Sequence, residues 1–215
     1  MVLSMIQIHK NPGNEPQTWI DYKNTPGVDY APQSDLRNAL LVEQGHICAF
    51  CMRRLPLSKR DPNEADFSKI AHLLTRTNHP ERKFDFENMV LCCAGNINGD
   101  SHCDKSQGAT DITLPLFSPS LQSSISYGSY TGEIKSAHNT WDSQIKNDLQ
   151  LNNALLQLNR LETLNGVRQL LGKKKWRKAK IKEKLREWTN VDNDGRLKPY
   201  CGIIVWYLAK KLKAV

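Results

Sequence analysis

No apolar run in the 215-residue chain approaches the roughly 20 residues a membrane-spanning helix needs, so no membrane partner is expected. Met1 to Lys10 lack the basic, apolar and small-residue sections of a secretory signal, and the expectation is a cytoplasmic protein. No G-x4-G-K-[ST] sequence occurs, which excludes nucleotide binding through a P-loop. Internal repeats and low-complexity tracts are also missing. Apolar residues are somewhat sparse at 39% and charged residues stand at 24%. That composition supports one compact core with a helical extension and leaves little margin for further independent folding units.

Six cysteines are present. A reducing cytoplasm keeps thiols free, and a chain of this size does not need disulfide staples, so metal ligation is the better reading. Cys48-Ala-Phe-Cys51 is a C-x2-C knuckle, which brings two thiolates to one ion from a tight turn. A thioredoxin-like redox site shares this spacing but needs a βαβ pattern that is absent. Further along, Cys92-Cys93 and His102-Cys103 offer more soft ligands, and a closed structural zinc site takes four. Adjacent residues project in different directions, so each pair should supply one ligand. Cys93 and Cys103 are the predicted partners of Cys48 and Cys51, with Cys92 a buried free thiol beside Met89, Val90 and Leu91. His102 and Cys92 remain the alternatives.

Around this frame the chain divides into four stretches. Residues 1–33, with Pro12, Pro16, Pro26 and Pro32, resist regular helix and predict an ordered or semi-ordered arm. Residues 34–108 form the metal-organised core, entered by a helix capped by Ser34, carrying Leu36, Ala39, Leu40 and Leu41, and stopped by Gly45. Residues 109–137, rich in Ser, Gly and Pro, predict an irregular connector. Residues 138–215 predict helices: leucines from Leu149 to Leu164, a second helix over about 166–188, and a short amphipathic helix over Ile203 to Leu212. The expected fold class is α+β, mostly helical.

Charge is unevenly spread. From Lys173 to Trp188, nine Lys or Arg stand against two Glu, so nearly the whole net charge of +8 sits in one stretch. Trp176, Ile181, Leu185 and Trp188 recur there at near-helical intervals. A solvated helix face is one use of such a stretch; binding a nucleic-acid backbone through Lys173, Lys174, Lys175, Arg177 and Lys178 is the other.

Between the two halves of the frame lies Lys69-Ile70-Ala71-His72, followed by Phe84-Asp85-Phe86-Glu87-Asn88-Met89. This order resembles HNH (ββα-metal) endonucleases. It is most similar to the HNH subunit of Septu-type anti-phage defence systems, including retron-associated ones. Asn14-Glu15-Pro16, Leu36-Arg37, Glu43-Gln44, Ile47 to Met52, Asn88-Met89, Cys93 to Asn96 and His102-Cys103-Asp104 carry the likeness. Tyr127, Gly132-Glu133-Ile134, Leu149 to Asn152 and Arg160 extend it, so that it covers roughly residues 5–165.

The resemblance implies a treble-clef-like zinc-bound ββα-metal core and hydrolysis of nucleic-acid phosphodiester bonds. His72 is then the general base, Asn88 orients its imidazole, and Asp104, or else His102, binds a catalytic Mg2+ or Mn2+. Residue 71 departs from the pattern: the family places an acidic ligand, commonly Glu, directly before the base, and Ala71 coordinates nothing. Magnesium takes only one or two protein carboxylates, so losing one weakens its hold heavily. A naturally degenerate site and an engineered silencing both account for Ala71, and the otherwise intact set favours the second. Implied partners are a separate Septu-type ATPase subunit, a retron reverse transcriptase with its noncoding RNA or DNA, and a DNA or RNA substrate. A zinc-stabilised nucleic-acid-binding or regulatory subunit without catalysis is the competing reading.

Overall fold

The computed structural model of the protein describes residues 7–57, 67–97, 99–173 and 176–214. The chain is α+β, with small two-stranded antiparallel sheets among more extensive helices. No helix of the described residues is long and apolar enough to cross a membrane.

The described part of the N-terminal stretch is firmly packed. Lys10 Nζ lies 3.1 Å from Glu43 Oε2 and from the Met89 carbonyl, and 3.6 Å above the Phe86 ring. The Asn11 N–H and the Asn14 side chain donate to the other Glu43 oxygen. A helix also interrupts the expected arm: α1 (Gln17–Lys23) begins directly after Pro16, where a missing N–H costs no helical bond. Trp19 of α1 is fully buried and meets Tyr22, Tyr30 and Phe84. Prolines mark the ends of this helix instead of preventing it.

Helix α2 (Ser34–Glu43) buries Leu36, Leu40 and Leu41. Gln33 occupies its N-cap, and Ser34 is the first helical residue, contrary to the expected cap. Gly45 ends the helix as predicted, at φ 58°; a Cβ there would lie 2.6 Å from Leu197 Cγ. The next residues carry the chain into the cysteine knuckle. Strands β1 (Ser68–His72) and β2 (Met89–Cys93) then pair from Ser68↔Cys93 to His72↔Met89. A second hairpin, β3 (Asn96–Ile97) and β4 (Asp100–Ser101), leads to the single turn α3 (Asp104–Gln107).

The predicted irregular connector is structured. Helix α4 (Pro119–Ser124) starts with Pro at its first position and Ser118 as a side-chain cap. The hairpin β5 (Ile125–Tyr127) and β6 (Ile134–Ser136) follows, with Ile125, Tyr127 and Ile134 turned inward. These strands are too short for alternation to stand out among Ser and Gly, and tertiary burial fixes them.

Helix α5 (Asn139–Ser143) runs into a π-helical turn over Gln144–Asp148. Helix α6 (Ala154–Lys173) then continues unbroken through the expected boundary near 166. Leu156, Arg160, Leu164 and Val167 form one buried stripe across it, so packing on the core overrides Gly166. Helix α7 (Lys178–Thr189) is correspondingly shorter than expected. Helix α8 (Cys201–Ala214) buries Cys201, Ile203, Ile204, Val205 and Leu208 and belongs to the centre of the fold. One hydrophobic core runs from Ile8 to Leu208, so frame and helical region share it.

Arg160 joins the two. Its fully buried guanidinium donates to the Gly132 carbonyl at 2.6 Å, the Leu151 carbonyl at 2.7 Å and Asn152 Oδ1 at 3.3 Å. Asn152 in turn bonds both the N–H and the carbonyl of Ile134.

Candidate metal centre and adjoining cleft

The knuckle is a backbone construction. The Cys48 N–H donates to the Arg53 carbonyl and the Met52 N–H to the Cys48 carbonyl, with Met52 at φ 60°. The Ala49 N–H bonds the Leu91 carbonyl at 3.1 Å, and the Gln44 amide bridges Ile47 and Leu91, so the knuckle is fastened to β2. Cys93 ends β2. Cys103 sits at φ 56° before α3, with its N–H held by the Leu149 carbonyl at 2.8 Å.

These three segments bring Cys48, Cys51, Cys93 and Cys103 together, all buried, with their sulfurs within 4.8 Å of one another. The Cys48–Cys103 and Cys51–Cys93 sulfurs are 3.8 Å apart and the Cys93–Cys103 pair 3.9 Å. Zinc–thiolate bonds of about 2.3 Å in a tetrahedron require sulfur separations of about 3.8 Å. The donor set therefore fits a four-coordinate soft cation. Burial pushes the Cys51 and Cys103 thiols up, while the surrounding thiols pull Cys93 down, so a bound cation would have to offset the cost of the buried thiolates. Burial works against the charge of nearby Arg53, but the Cys93, Cys51 and Cys48 sulfurs outweigh it and raise its pKa.

The two alternatives fall outside the set. The Cys92 thiol donates to the Lys69 carbonyl at 3.4 Å. His102 is buried with Nδ1 3.1 Å from the Cys103 sulfur, and Nε2 has no hydrogen-bond partner among the described residues.

Beside the frame opens a cleft of about 980 Å³, lined among others by Tyr30, Arg37, Lys69, His72, Arg76 and Asp104. His72, at the end of β1, places Nε2 3.0 Å from the Lys83 carbonyl, with the Tyr30 ring edge-on at 4.9 Å. A carbonyl only accepts, so Nε2 carries the proton and Nδ1 is the basic nitrogen. Burial first, and Arg76 next among the lowering influences, hold the imidazole pKa below 6.5, which keeps it neutral at neutral pH.

Asn88 does not hold the imidazole. Its Oδ1 accepts from the Leu74 N–H at 2.8 Å, and its Nδ2 donates to the carbonyls of Leu74 at 2.8 Å and Arg82 at 3.4 Å. It clamps the exit of β1 to the turn that presents Lys83, so orientation reaches His72 through a main-chain carbonyl. Gln107 of α3 adds a bond to the His72 carbonyl at 2.9 Å.

Residues paired across a ladder share a face. Lys69, Ala71, Val90 and Cys92 therefore lie on one face of the hairpin, and Ile70, His72, Met89 and Leu91 on the other. Ala71 is fully buried and is not among the cleft-lining residues. Among the described residues, the four cysteines are the one group of three or more His, Cys, Asp or Glu at ligating distances. His72 and Asp104 thus share the cleft without a third such ligand.

Of the predicted nucleic-acid-binding residues, Lys174, Lys175 and the Lys173 side chain lie outside the described residues. Arg177 and Lys178 are exposed and do not line the cleft. Arg37, Arg76, Lys83 and Gln107 of the cleft region were not singled out as site residues from the sequence: Arg37 entered only as part of the Leu36-Arg37 likeness, and no motif or periodicity marks the other three. No protein-family model matches the chain, and no curated protein matches it.

Proposed function

We propose that the chain is the HNH endonuclease subunit of an anti-phage defence complex of the Septu type, with Zn2+ as the structural ion of the four-cysteine centre. One observation carries this reading: His72 lines the cleft with Nε2–H fixed on a carbonyl and Nδ1 left basic, and the same cleft is lined by Asp104, which directly follows the last frame cysteine. The motif residues that carry the resemblance are also physical partners, Asn14 with Glu43, Gln44 with Ile47, and Arg160 with Gly132, Leu151 and Asn152.

In the proposed reaction His72 Nδ1 takes a proton from water, whose oxygen bonds to phosphorus as the bond to the leaving oxygen breaks. A Mg2+ or Mn2+ held by Asp104 would supply Lewis acidity at the phosphate and the leaving oxygen. The ATPase subunit and a retron reverse transcriptase with its noncoding RNA or DNA are the partners this reading assigns.

The second reading, a nucleic-acid-binding or regulatory subunit without catalysis, is favoured by Ala71 and by the lack, among the described residues, of a third ligand with His72 and Asp104. Because Ala71 is buried on the hairpin face opposite His72, cleavage by the chain itself discriminates them. The nuclease reading expects Mg2+- or Mn2+-dependent cleavage of DNA or RNA by the chain with its ATPase partner, abolished by His72→Ala. A chain that is folded, carries its zinc and stays inert toward both, even with that partner, rejects it.

A further inference from the structure

Two arginines of the cleft are built differently from the basic residues of α7. The Arg76 guanidinium lies 4.7 Å over the Tyr30 ring, which itself meets His72 edge-on. Arg37 lies 4.0 Å over the Phe67 ring and is steadied by Ser68 Oγ at 2.7 Å and the Pro56 carbonyl at 3.1 Å. Neither forms an ion pair with a carboxylate among the described residues, and Arg76 has no hydrogen bond there either. Stacking occupies the face of a guanidinium and leaves the in-plane N–H groups of Arg76 for a fork-wise phosphate contact, while Arg37 gives one N–H each to Ser68, Pro56 and Asn38 and keeps the remaining two. On α7 the charges are partly satisfied within the chain: Lys180 pairs with Glu183, and Lys184 and Lys198 both pair with Glu187.

We infer that Arg76 and Arg37 are the phosphate-binding residues of this chain, and that a nucleic-acid strand is held by its backbone along the cleft past His72, not on α7. This rests on the nuclease reading for the identity of the ligand. It adds which residues hold the strand and moves the binding surface away from the basic stretch. Arg76 serves as a positioning residue, placing a phosphate within reach of the water that His72 activates.

The test is fluorescence anisotropy with labelled single-stranded DNA, duplex DNA and RNA, each in two unrelated base sequences, at several salt concentrations and with no added divalent ion. Arg76 is exposed, so Arg76→Ala removes its charge without touching the core. Arg37→Gln removes charge while keeping a donor for Ser68 and Pro56. Arg76→Ala is expected to weaken binding about tenfold and to lower the salt slope by about one. Arg37→Gln is expected to act in the same direction, and Arg177→Ala with Lys178→Ala to bind as the parent does. Equal affinity of Arg76→Ala, Arg37→Gln and parent overturns the inference, as does a larger loss in the α7 variant. A loss confined to one base sequence also overturns it, since backbone contacts ignore sequence. Because binding is read without turnover, a chain that stays inert with its partner but whose Arg76→Ala form still loses affinity would sink the cleavage reading alone.

Discussion

The cysteine centre and the His72 cleft stand side by side on one hairpin, yet one is closed and the other open. In the centre, four ligands of one chemical type meet at tetrahedral spacing, out of reach of water. In the cleft, residues of several types arrive from α1's following loop, α2, β1 and α3, and among the described residues the pair His72 and Asp104 has no third ligand. A scaffold metal needs only its ligand count and a tetrahedron. A reacting centre needs an accessible face, an oriented base and a charge partner, each supplied by separate parts of the fold.

The sharpest break between the two regions is expected from ligand removal. Cys48→Ala or Cys103→Ala should forfeit most of a metal-binding free energy of about 10–16 kcal/mol and leave the chain largely unfolded. His72→Ala should shift stability by only about 1 kcal/mol. Circular-dichroism melts with metal content measured alongside check both; a cysteine variant that melts like the parent would erase the distinction.

Next in size is Arg160→Met. It strips charged hydrogen bonds from three buried acceptors and unfastens the loop that holds the Cys103 N–H, at a cost of about 3 kcal/mol in urea denaturation. Asn88→Ala should cost about 2 kcal/mol, since it orphans the Leu74 N–H and carbonyl. It should also loosen the Lys83 turn, seen by nitrogen NMR as mixed His72 tautomers where the parent shows Nε2–H alone.

The smallest effect is a pH slope. Burial holds His72 and His46 below 6.5 in the folded chain, so the unfolded chain binds more protons as pH falls through that value. Stability should therefore decline from pH 7 toward pH 5, and His72→Gln should flatten the slope in melts across that range. A slope unaltered by His72→Gln would mean that the cleft histidine is solvated.

The frame was legible because C-x2-C has a local geometric meaning and strand alternation separates Cys93 from Cys92. Gly45 was legible for the same reason, as one residue stopping one helix. The role of Asn88 was not, since the group that orients His72 is the main-chain carbonyl of Lys83, and every residue has such a carbonyl. The β5–β6 hairpin escaped notice because three-residue strands carry almost no period. The pull of the basic stretch likewise hid Arg37 and Arg76, whose positions on aromatic rings exist only after folding. Local chemistry is written in spacing, whereas a cleft is written in tertiary contacts.

The most direct test of the central claim, that four cysteines form a closed metal site holding this fold, is elemental analysis of the folded chain with and without Cys93→Ala. One equivalent of zinc in the parent and a large loss in the variant are the predicted results. A folded parent with no bound metal would contradict it.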